Sequence, residues 1–203
     1  QKGGIRAVNL KDGDELIGVR ITNGDNELML ASRNGQACHF HESDVRAMGR
    51  VATGVAGMKL GKGDACVGLM VVRPNATVLT ISEKGLGKRT VFDDYRLTRR
   101  GAKGVVNMKV TKKTGKVVAV MGVEPGNEVM LMTATGMVVR TSVSGIRVIG
   151  RATQGGRVIR LKAEDHVVAV ARVVMDDKDE DRAADEAVPV DADADGDTLE
   201  SLD

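Results

Sequence analysis

The chain has 203 residues, of which 42% are hydrophobic, three are aromatic and two are cysteine. It has no run of about 18 apolar residues, so we expect neither a membrane-spanning helix nor a signal peptide in this sequence. Two cysteines without metal-type spacing predict neither a disulfide framework nor a metal site. The formal net charge of +2 is unevenly distributed, because residues 175–203 hold 13 acidic and 2 basic side chains and the rest is strongly basic.

A repeat of about 50 residues organises the sequence. Glycines recur at this spacing at two positions of the repeat, namely Gly35, Gly85 and Gly136, and Gly54, Gly104 and Gly155. A fixed period of this length is typical of units that are stacked or arranged radially, because each unit is too small to bury a core by itself. We predict units at residues 1–50, 51–100 and 101–151, and a partial unit at 152–174.

The first unit predicts four short strands, at residues 5–10, 16–21, 28–31 and 36–40. They are rich in apolar and β-branched residues, and turn residues such as Asn34 and Gly35 separate them. The pattern favours an all-β fold of four-stranded antiparallel blades with little or no helix.

The later units repeat this pattern. The second predicts strands at 58–60, 66–72, 77–82 and from 85 onward; the third begins at 105 and continues at 117–120, 129–133 and 137–141; the fourth has 158–161 and 167–174. A fourth unit of two strands leaves open sheet edges. We therefore expect either that residues before Gln1 complete the array or that blades exchange strands. Because the chain begins with Gln1, we expect it to be part of a longer protein.

Residues 175–203 form an acidic tail with a net charge of −11, and the first 174 residues carry +13. The tail has few large apolar groups, so we predict that it is disordered. A basic body predicts a polyanionic partner, and the tail is a candidate competitor for it. Because single-strand binders stack bases on aromatic faces, the scarcity of aromatic residues favours duplex nucleic acid held by its phosphates.

Arginines recur with the repeat, since the segment 46–50 returns at 96–100 and at 147–151. Cations delivered once per unit could hold a bent duplex. The candidate DNA contacts are Arg46, Arg50, Lys88, Arg89, Arg99, Arg100, Lys103, Arg147 and Arg151.

One of these segments carries a specific resemblance. It consists of Thr98, Arg99, Arg100, Gly101, Ala102, Lys103 and Gly104. It resembles the gyrase box, Gln-Arg-Arg-Gly-Gly-Lys-Gly, of the DNA gyrase A C-terminal domain, with Thr98 in place of Gln and Ala102 in place of the second Gly. Residues 13–19, 45–50, 85–89 and 147–155 are similar to other signatures of that family, so that the resemblance covers residues 1–174.

The resemblance implies a β-pinwheel, which is a propeller-like ring whose blades exchange strands. It implies that the chain binds and bends duplex DNA around a basic outer rim. Chiral wrapping would then let the holoenzyme, an ATP-dependent type II topoisomerase, introduce negative supercoils. The implied partners are the rest of the gyrase A protein and, in a heterotetramer with it, the ATPase subunit. ATP and Mg would bind elsewhere in that assembly, in the bacterial cytoplasm at the nucleoid, and this part would be non-catalytic with no cofactor of its own.

Two alternatives stay open. The domain could be the equivalent part of topoisomerase IV, which docks DNA without strong wrapping, or, in a different class, a protein-interaction propeller. Other patterns predict no site: His39 and His41 share one strand face but are too few for a metal. Residues 85–90 resemble a phosphate loop but lack its first glycine. We expect the only tyrosine, Tyr95, to be a packing residue.

Overall fold

The computed structural model describes residues 3–173, which contain twelve strands and three single-turn 3-10 segments. No helix in this range is long and apolar enough to cross a membrane. The strands are β1 (Glu27–Ser32), β2 (Gln36–His41), β3 (Cys66–Val71), β4 (Thr77–Ser82), β5 (Leu86–Val91), β6 (Leu97–Thr98), β7 (Val105–Val106), β8 (Val117–Val123), β9 (Glu128–Thr133), β10 (Val138–Ser142), β11 (Gly156–Arg157) and β12 (Val167–Val173). The 3-10 turns are Glu42–Asp44, Phe92–Asp94 and Val143–Gly145.

The strands form three sheets, each built on one hairpin. The first has the order β3-β1-β2-β6, with β7 also pairing with β2; the second is β11-β5-β4-β8; the third is β10-β9-β12. In each sheet the hairpin receives an antiparallel third strand from the next repeat, as in the pairing of Thr77 with Val123. The fold is therefore an all-β, propeller-like pinwheel whose blades exchange strands.

Strand exchange corrects how the sequence assigned strands to blades. The strands of one repeat are shared among three sheets: β7 joins the first, β8 joins the second, and β9 and β10 form the third. A repeat such as residues 101–151 is therefore not one blade. The exchange occurs because β3, β8 and β12 each find their antiparallel partner in the hairpin of the preceding repeat.

The first repeat differs from the prediction. Residues 5–10 and 16–21 are not strands, and Ile21 is 96% exposed. The segment 16–21 is equivalent to β3, β8 and β12, but no preceding hairpin lies beside it in the part of the chain that the structure describes. Residues 58–60 and 158–161 are also outside strands; the predicted tail lies outside the described residues.

Two apolar cores lie between successive sheets. The first includes Met29 and Val78, and the second includes Leu79 and Leu131, all fully buried. Tyr95 belongs to the first core, as predicted, and its hydroxyl donates to Asn107 Oδ1 at 2.6 Å. Val78 and Leu79 are neighbours on β4 and lie in different cores, because successive side chains of a strand point to opposite faces. The second sheet therefore packs against both of its neighbours.

Candidate nucleic-acid interface

Two equivalent loops cover the outer edges of the first two sheets. Outer loop A (residues 96–106) pairs with β2 at both ends, through β6 in parallel and β7 in antiparallel orientation. Outer loop B (residues 147–157) does the same on β5, with Val148 beside Arg89 and β11 beside Gly87. Each loop is therefore fixed at both ends to the sheet edge that lies opposite β3 or β8, which we call the outer edge. Outer loop A contains the gyrase-box-like motif.

Main-chain contacts define the shape of outer loop A. The Gly101 N–H donates to the Gly57 carbonyl at 2.7 Å, and the Lys59 N–H donates to the Ala102 carbonyl at 2.9 Å. Gly104 has φ +80°, and a Cβ there would lie 2.0 Å from the Ala37 carbonyl oxygen. The motif needs glycine here for conformation and for space, because no side chain fits between the loop and β2.

Replacing Gly104 with alanine is expected to destabilise the fold by about 2–4 kcal/mol, because the new methyl group meets backbone in a left-handed conformation. Urea unfolding of the two proteins measures the difference. Gly49→Ala is the matched control, since Gly49 has no atom within 4 Å of its Cβ position. Equal stability of the Gly104→Ala variant and the parent would contradict the close packing of outer loop A on β2.

Five of the candidate cations are exposed. Arg99 and Lys103 lie on outer loop A, Arg147 on outer loop B, and Arg46 and Arg50 on the equivalent segment of the first repeat. None of the five forms an ion pair with a residue in the range 3–173. Their charges are free to meet an anion.

Arg100 and Arg151 are equivalent in the repeat and serve the fold. Arg100 donates from Nε to the Asp44 carbonyl at 2.7 Å and from Nη1 to the Ala56 carbonyl at 3.1 Å. Arg151 donates from Nη1 to the Val106 carbonyl at 3.2 Å. Both are half-buried. Part of the arginine periodicity therefore reflects the need to fix each outer loop to the backbone of the preceding repeat.

Lys88 and Arg89 do not fit the predicted contact with DNA. Lys88 is fully buried and its Nζ donates to Thr90 Oγ1 at 2.9 Å, to the Gly150 carbonyl at 2.9 Å and to the Arg151 carbonyl at 2.6 Å. Arg89 is 8% exposed and donates from Nε to the Ile146 carbonyl at 2.7 Å. Both cations hold outer loop B on β5, so we remove them from the candidate contacts. Burial lowers the pKa of Lys88 to about 8.

The sequence reading missed a second periodic set of cations. Lys59, Lys109 and Arg160 are 50 and 51 residues apart and all are exposed. Lys109 donates its N–H to the Thr153 carbonyl at 2.9 Å, as Lys59 does to Ala102, so each stands beside an outer loop. Arg96 is a further exposed equivalent of Arg46 and Arg147. The 50-residue spacing alone could have found all four.

Arg160 also lines an open cavity of about 370 Å³ with Lys84, Arg157 and Lys162. Two carboxylates, Glu164 and Asp165, and the apolar side chains of Ile159 and Leu161 complete the lining. Asp165 accepts from the Thr135 hydroxyl at 2.7 Å, which lowers its pKa to about 2. The cavity therefore presents a cationic surface next to the edge that outer loop B covers.

The two histidines of β2 have separate carboxylate partners. His39 Nε2 lies 2.8 Å from Glu27 Oε2, and His41 Nε2 lies 3.2 Å from Asp25 Oδ1. Among residues 3–173 no group of three or more His, Cys, Asp or Glu side chains could hold a metal ion. The expectation that this part of the protein binds no cofactor stays a prediction.

A family model described as "DNA gyrase C-terminal domain, beta-propeller" matches the chain four times, at residues 2–23, 26–73, 76–124 and 127–173. The last three matches each span one hairpin and the strand that pairs with it. Each of these matches therefore contains the three long strands of one sheet, whereas β6, β7 and β11, which also lie within them, pair with the preceding sheet.

The sequence is also similar to the A subunits of bacterial DNA gyrases. The A subunit of DNA gyrase from Halalkalibacterium halodurans is 59% identical over 92% of this chain, and that of Escherichia coli (strain K12) is 41% identical over 86%. The chain spans 23% and 20% of the length of these relatives.

Two solved structures share the fold. The C-terminal domain of DNA gyrase A superposes with a TM-score of 0.77 at 32% identity, covering 85% of this chain and 59% of that one. The C-terminal domain of DNA topoisomerase IV superposes with a TM-score of 0.80 at 27% identity, covering 89% of this chain and 56% of that one.

Proposed function

This chain belongs to the DNA gyrase C-terminal domain, beta-propeller family, and from that premise we propose that it binds duplex DNA along its outer loops and bends it. The supporting observation is a row of exposed cations that recurs with the repeat and has no ion-pair partner within residues 3–173: Arg46, Arg50, Arg96, Arg99, Lys103 and Arg147, together with Lys59, Lys109 and Arg160. Phosphate contacts from such a row release counterions, which makes binding favourable and dependent on salt.

The positions of the aromatic residues favour a duplex over a single strand. Phe40, Phe92 and Tyr95 are the only aromatic side chains, and all three are buried, at 2%, 7% and 2% exposure. Single-strand binders stack bases on exposed aromatic faces. The same burial disfavours a protein-interaction propeller, because protein interfaces rely on exposed aromatic anchors.

Bending follows from the spacing of the cations. Smooth bending of a duplex site by about 40–90° costs on the order of 1–6 kcal/mol. Contacts that recur once per sheet can offset this cost, provided that the duplex follows the outer edges from sheet to sheet. In the longer protein, wrapping of one hand would bias strand passage toward negative supercoils, with ATP and Mg bound by other parts of a gyrase heterotetramer in the bacterial cytoplasm.

A topology assay tests this function. Relaxed closed-circular DNA is incubated with the chain, relaxed again with a type I topoisomerase, freed of protein and separated on a gel. We expect a shift of linking number in one direction, and a smaller shift for the variant in which Lys59, Lys109 and Arg160 are glutamine. Absence of any DNA binding at low salt would refute the proposal.

The second candidate is a domain of topoisomerase IV type that docks DNA without wrapping it. The superposition on the C-terminal domain of DNA topoisomerase IV favours it. In that case the same assay gives salt-sensitive binding in a mobility shift but no change of linking number. The higher identity to the gyrase relatives makes wrapping our first proposal.

A further inference from the structure

The cavity of about 370 Å³ lies between the turn of β4-β5 and the segment that follows outer loop B. Its lining consists of Lys84, from the turn, and of side chains from residues 157–165. The N–H groups of Val158 and Ile159 donate to the Gly85 carbonyl at 2.9 and 3.3 Å, which holds the segment on the turn. Its volume is within the range of small-molecule sites, about 300–1,000 Å³. We call it the turn cavity.

Four cations line the turn cavity, and none of them has an ion-pair partner in the range 3–173. They are Lys84, Arg157, Arg160 and Lys162, and all four are exposed. Like charges that share one cavity repel one another. An anion that enters the cavity therefore lowers the electrostatic free energy of the folded protein.

The two carboxylates of the turn cavity compensate only part of this charge. Asp165 is 2% exposed and already accepts hydrogen bonds with both oxygens. Its Oδ1 accepts from the N–H groups of Thr135 and His166 at 3.2 and 2.8 Å, and its Oδ2 accepts from the Thr135 hydroxyl at 2.7 Å. Glu164 is exposed and forms no ion pair with any of the four cations. The lining therefore has an excess of two positive charges.

The repeat does not account for this concentration of cations. The Met108 N–H donates to the Gly35 carbonyl as that of Ile159 does to Gly85, so the preceding repeat has the same local backbone. At the positions equivalent to 84, 157, 160 and 162, that repeat has Asn34, Val106, Lys109 and Thr111. Three of the four cations thus have neutral equivalents. They are specific to the turn cavity and are not required by the backbone that both repeats share.

We propose that the turn cavity binds an anion with two or more phosphate groups, supplied by a small free polyphosphate or by the backbone of a duplex. The guanidinium groups of Arg157 and Arg160 carry paired N–H donors that match phosphate oxygens, and Lys84 and Lys162 add point charges. Four cations favour a multivalent anion over a monovalent one, because each charge of the ligand adds to the attraction. The site does not depend on DNA binding; only the duplex as a source of phosphate rests on the proposed function.

Titration of the whole chain with pyrophosphate, followed by nuclear magnetic resonance at low salt, tests the site without DNA. We expect saturable shifts of the amide signals of Gly85 and residues 157–165, with half-saturation below about 1 mM. Orthophosphate should bind about tenfold more weakly, because it carries fewer charges. The amides of Lys112 and Lys113, which are exposed in the turn of the preceding repeat, should show no saturable shift. No saturation up to about 10 mM pyrophosphate, or similar shifts at all exposed cations, overturns the proposal.

Removal of two cavity lysines separates the site from the effect of net charge. The double variant Lys84→Gln, Lys162→Gln changes exposed side chains only, and its affinity for pyrophosphate should fall by about tenfold. The control Lys112→Gln, Lys113→Gln removes the same charge elsewhere and should lower this affinity by less than about twofold. Equal losses in the two variants overturn the proposal. If the first variant does not fold, the amide shifts of the parent decide alone.

Addition of a linear duplex to the protein saturated with pyrophosphate identifies the source of the phosphate. If the phosphorus signal of pyrophosphate returns to its free position, the duplex backbone occupies the turn cavity. If the duplex binds and pyrophosphate stays bound, the site takes a free polyphosphate. If pyrophosphate saturates the site and no duplex binds, the proposed function fails and the phosphate site stands. If the duplex binds and pyrophosphate does not, the phosphate site fails and the proposed function stands.

Discussion

Replacing Arg99 and Lys103 together with glutamine is expected to lower the affinity for a linear duplex by about tenfold at physiological salt. Both side chains are exposed on outer loop A and neither has an ion-pair partner among residues 3–173. Each phosphate that they contact contributes about one unit to the slope of log affinity against log salt. The double variant should therefore reduce this slope by about two units while the stability of the fold stays unchanged.

The control for this experiment is a pair of lysines away from the proposed interface. Lys112 and Lys113 are adjacent and exposed, and they lie in the turn that Thr111 and Gly115 close. Their replacement with glutamine removes the same charge from the chain. If both double variants lose affinity equally, only net charge matters and outer loop A is not a specific contact.

Replacing the buried Lys88 with methionine is expected to destabilise the protein by about 2–4 kcal/mol. Methionine fills a similar volume, but the carbonyls of Gly150 and Arg151 lose their donor. Outer loop B should then loosen from β5. Urea unfolding measures the loss, and Lys84→Met, at an exposed lysine four residues earlier, should change stability by less than about 0.5 kcal/mol.

The effect of Lys88 on stability should depend on pH. Burial lowers the pKa of Lys88 to about 8, below the ordinary value of about 10.4 that the unfolded chain has. Between these values the unfolded chain binds a proton that the folded chain does not, so the contribution of Lys88 to stability increases as pH rises and is lost as pH falls through about 8.

The stability difference between the parent and Lys88→Met should thus grow by about 1.4 kcal/mol for each pH unit above 8. Unfolding curves of both proteins at pH values between about 7 and about 9.5 measure it, and titrations that the two proteins share cancel in the difference. A difference that shrinks as pH rises would mean that the folded protein holds the ammonium more tightly than water does.

Local signals in the sequence were sufficient for the hairpins. Glycines at 35, 85 and 136 mark the turns of β1-β2, β4-β5 and β9-β10, and the alternation of apolar residues sets the strands on either side. The structure confirms these three hairpins. They could be predicted because a hairpin and its turn depend on residues that are neighbours in the chain. The same reasoning was wrong for residues 5–10 and 16–21, whose pairing needs a hairpin from another repeat.

The sequence could not predict which of the periodic cations are buried and which are exposed. Lys88 and Arg99 have the same charge and both belong to the repeat, yet one is fully buried and the other is exposed. The sequence cannot distinguish them, because the carbonyls that bind Lys88 come from residues 62 and 63 positions away. Arg100 likewise finds its acceptor at Ala56, 44 positions away.

The sequence by itself determined the repeat, the all-β hairpins and the excess of positive charge, since each depends on composition or on contacts within a few residues. The tertiary structure alone decided which sheet each strand joins, where the outer loops lie and which of the periodic cations remain free for a phosphate. The physical reason is that a buried polar group must find its partner wherever the folded chain brings one. Such a partner, at long separation, leaves no local trace in the sequence.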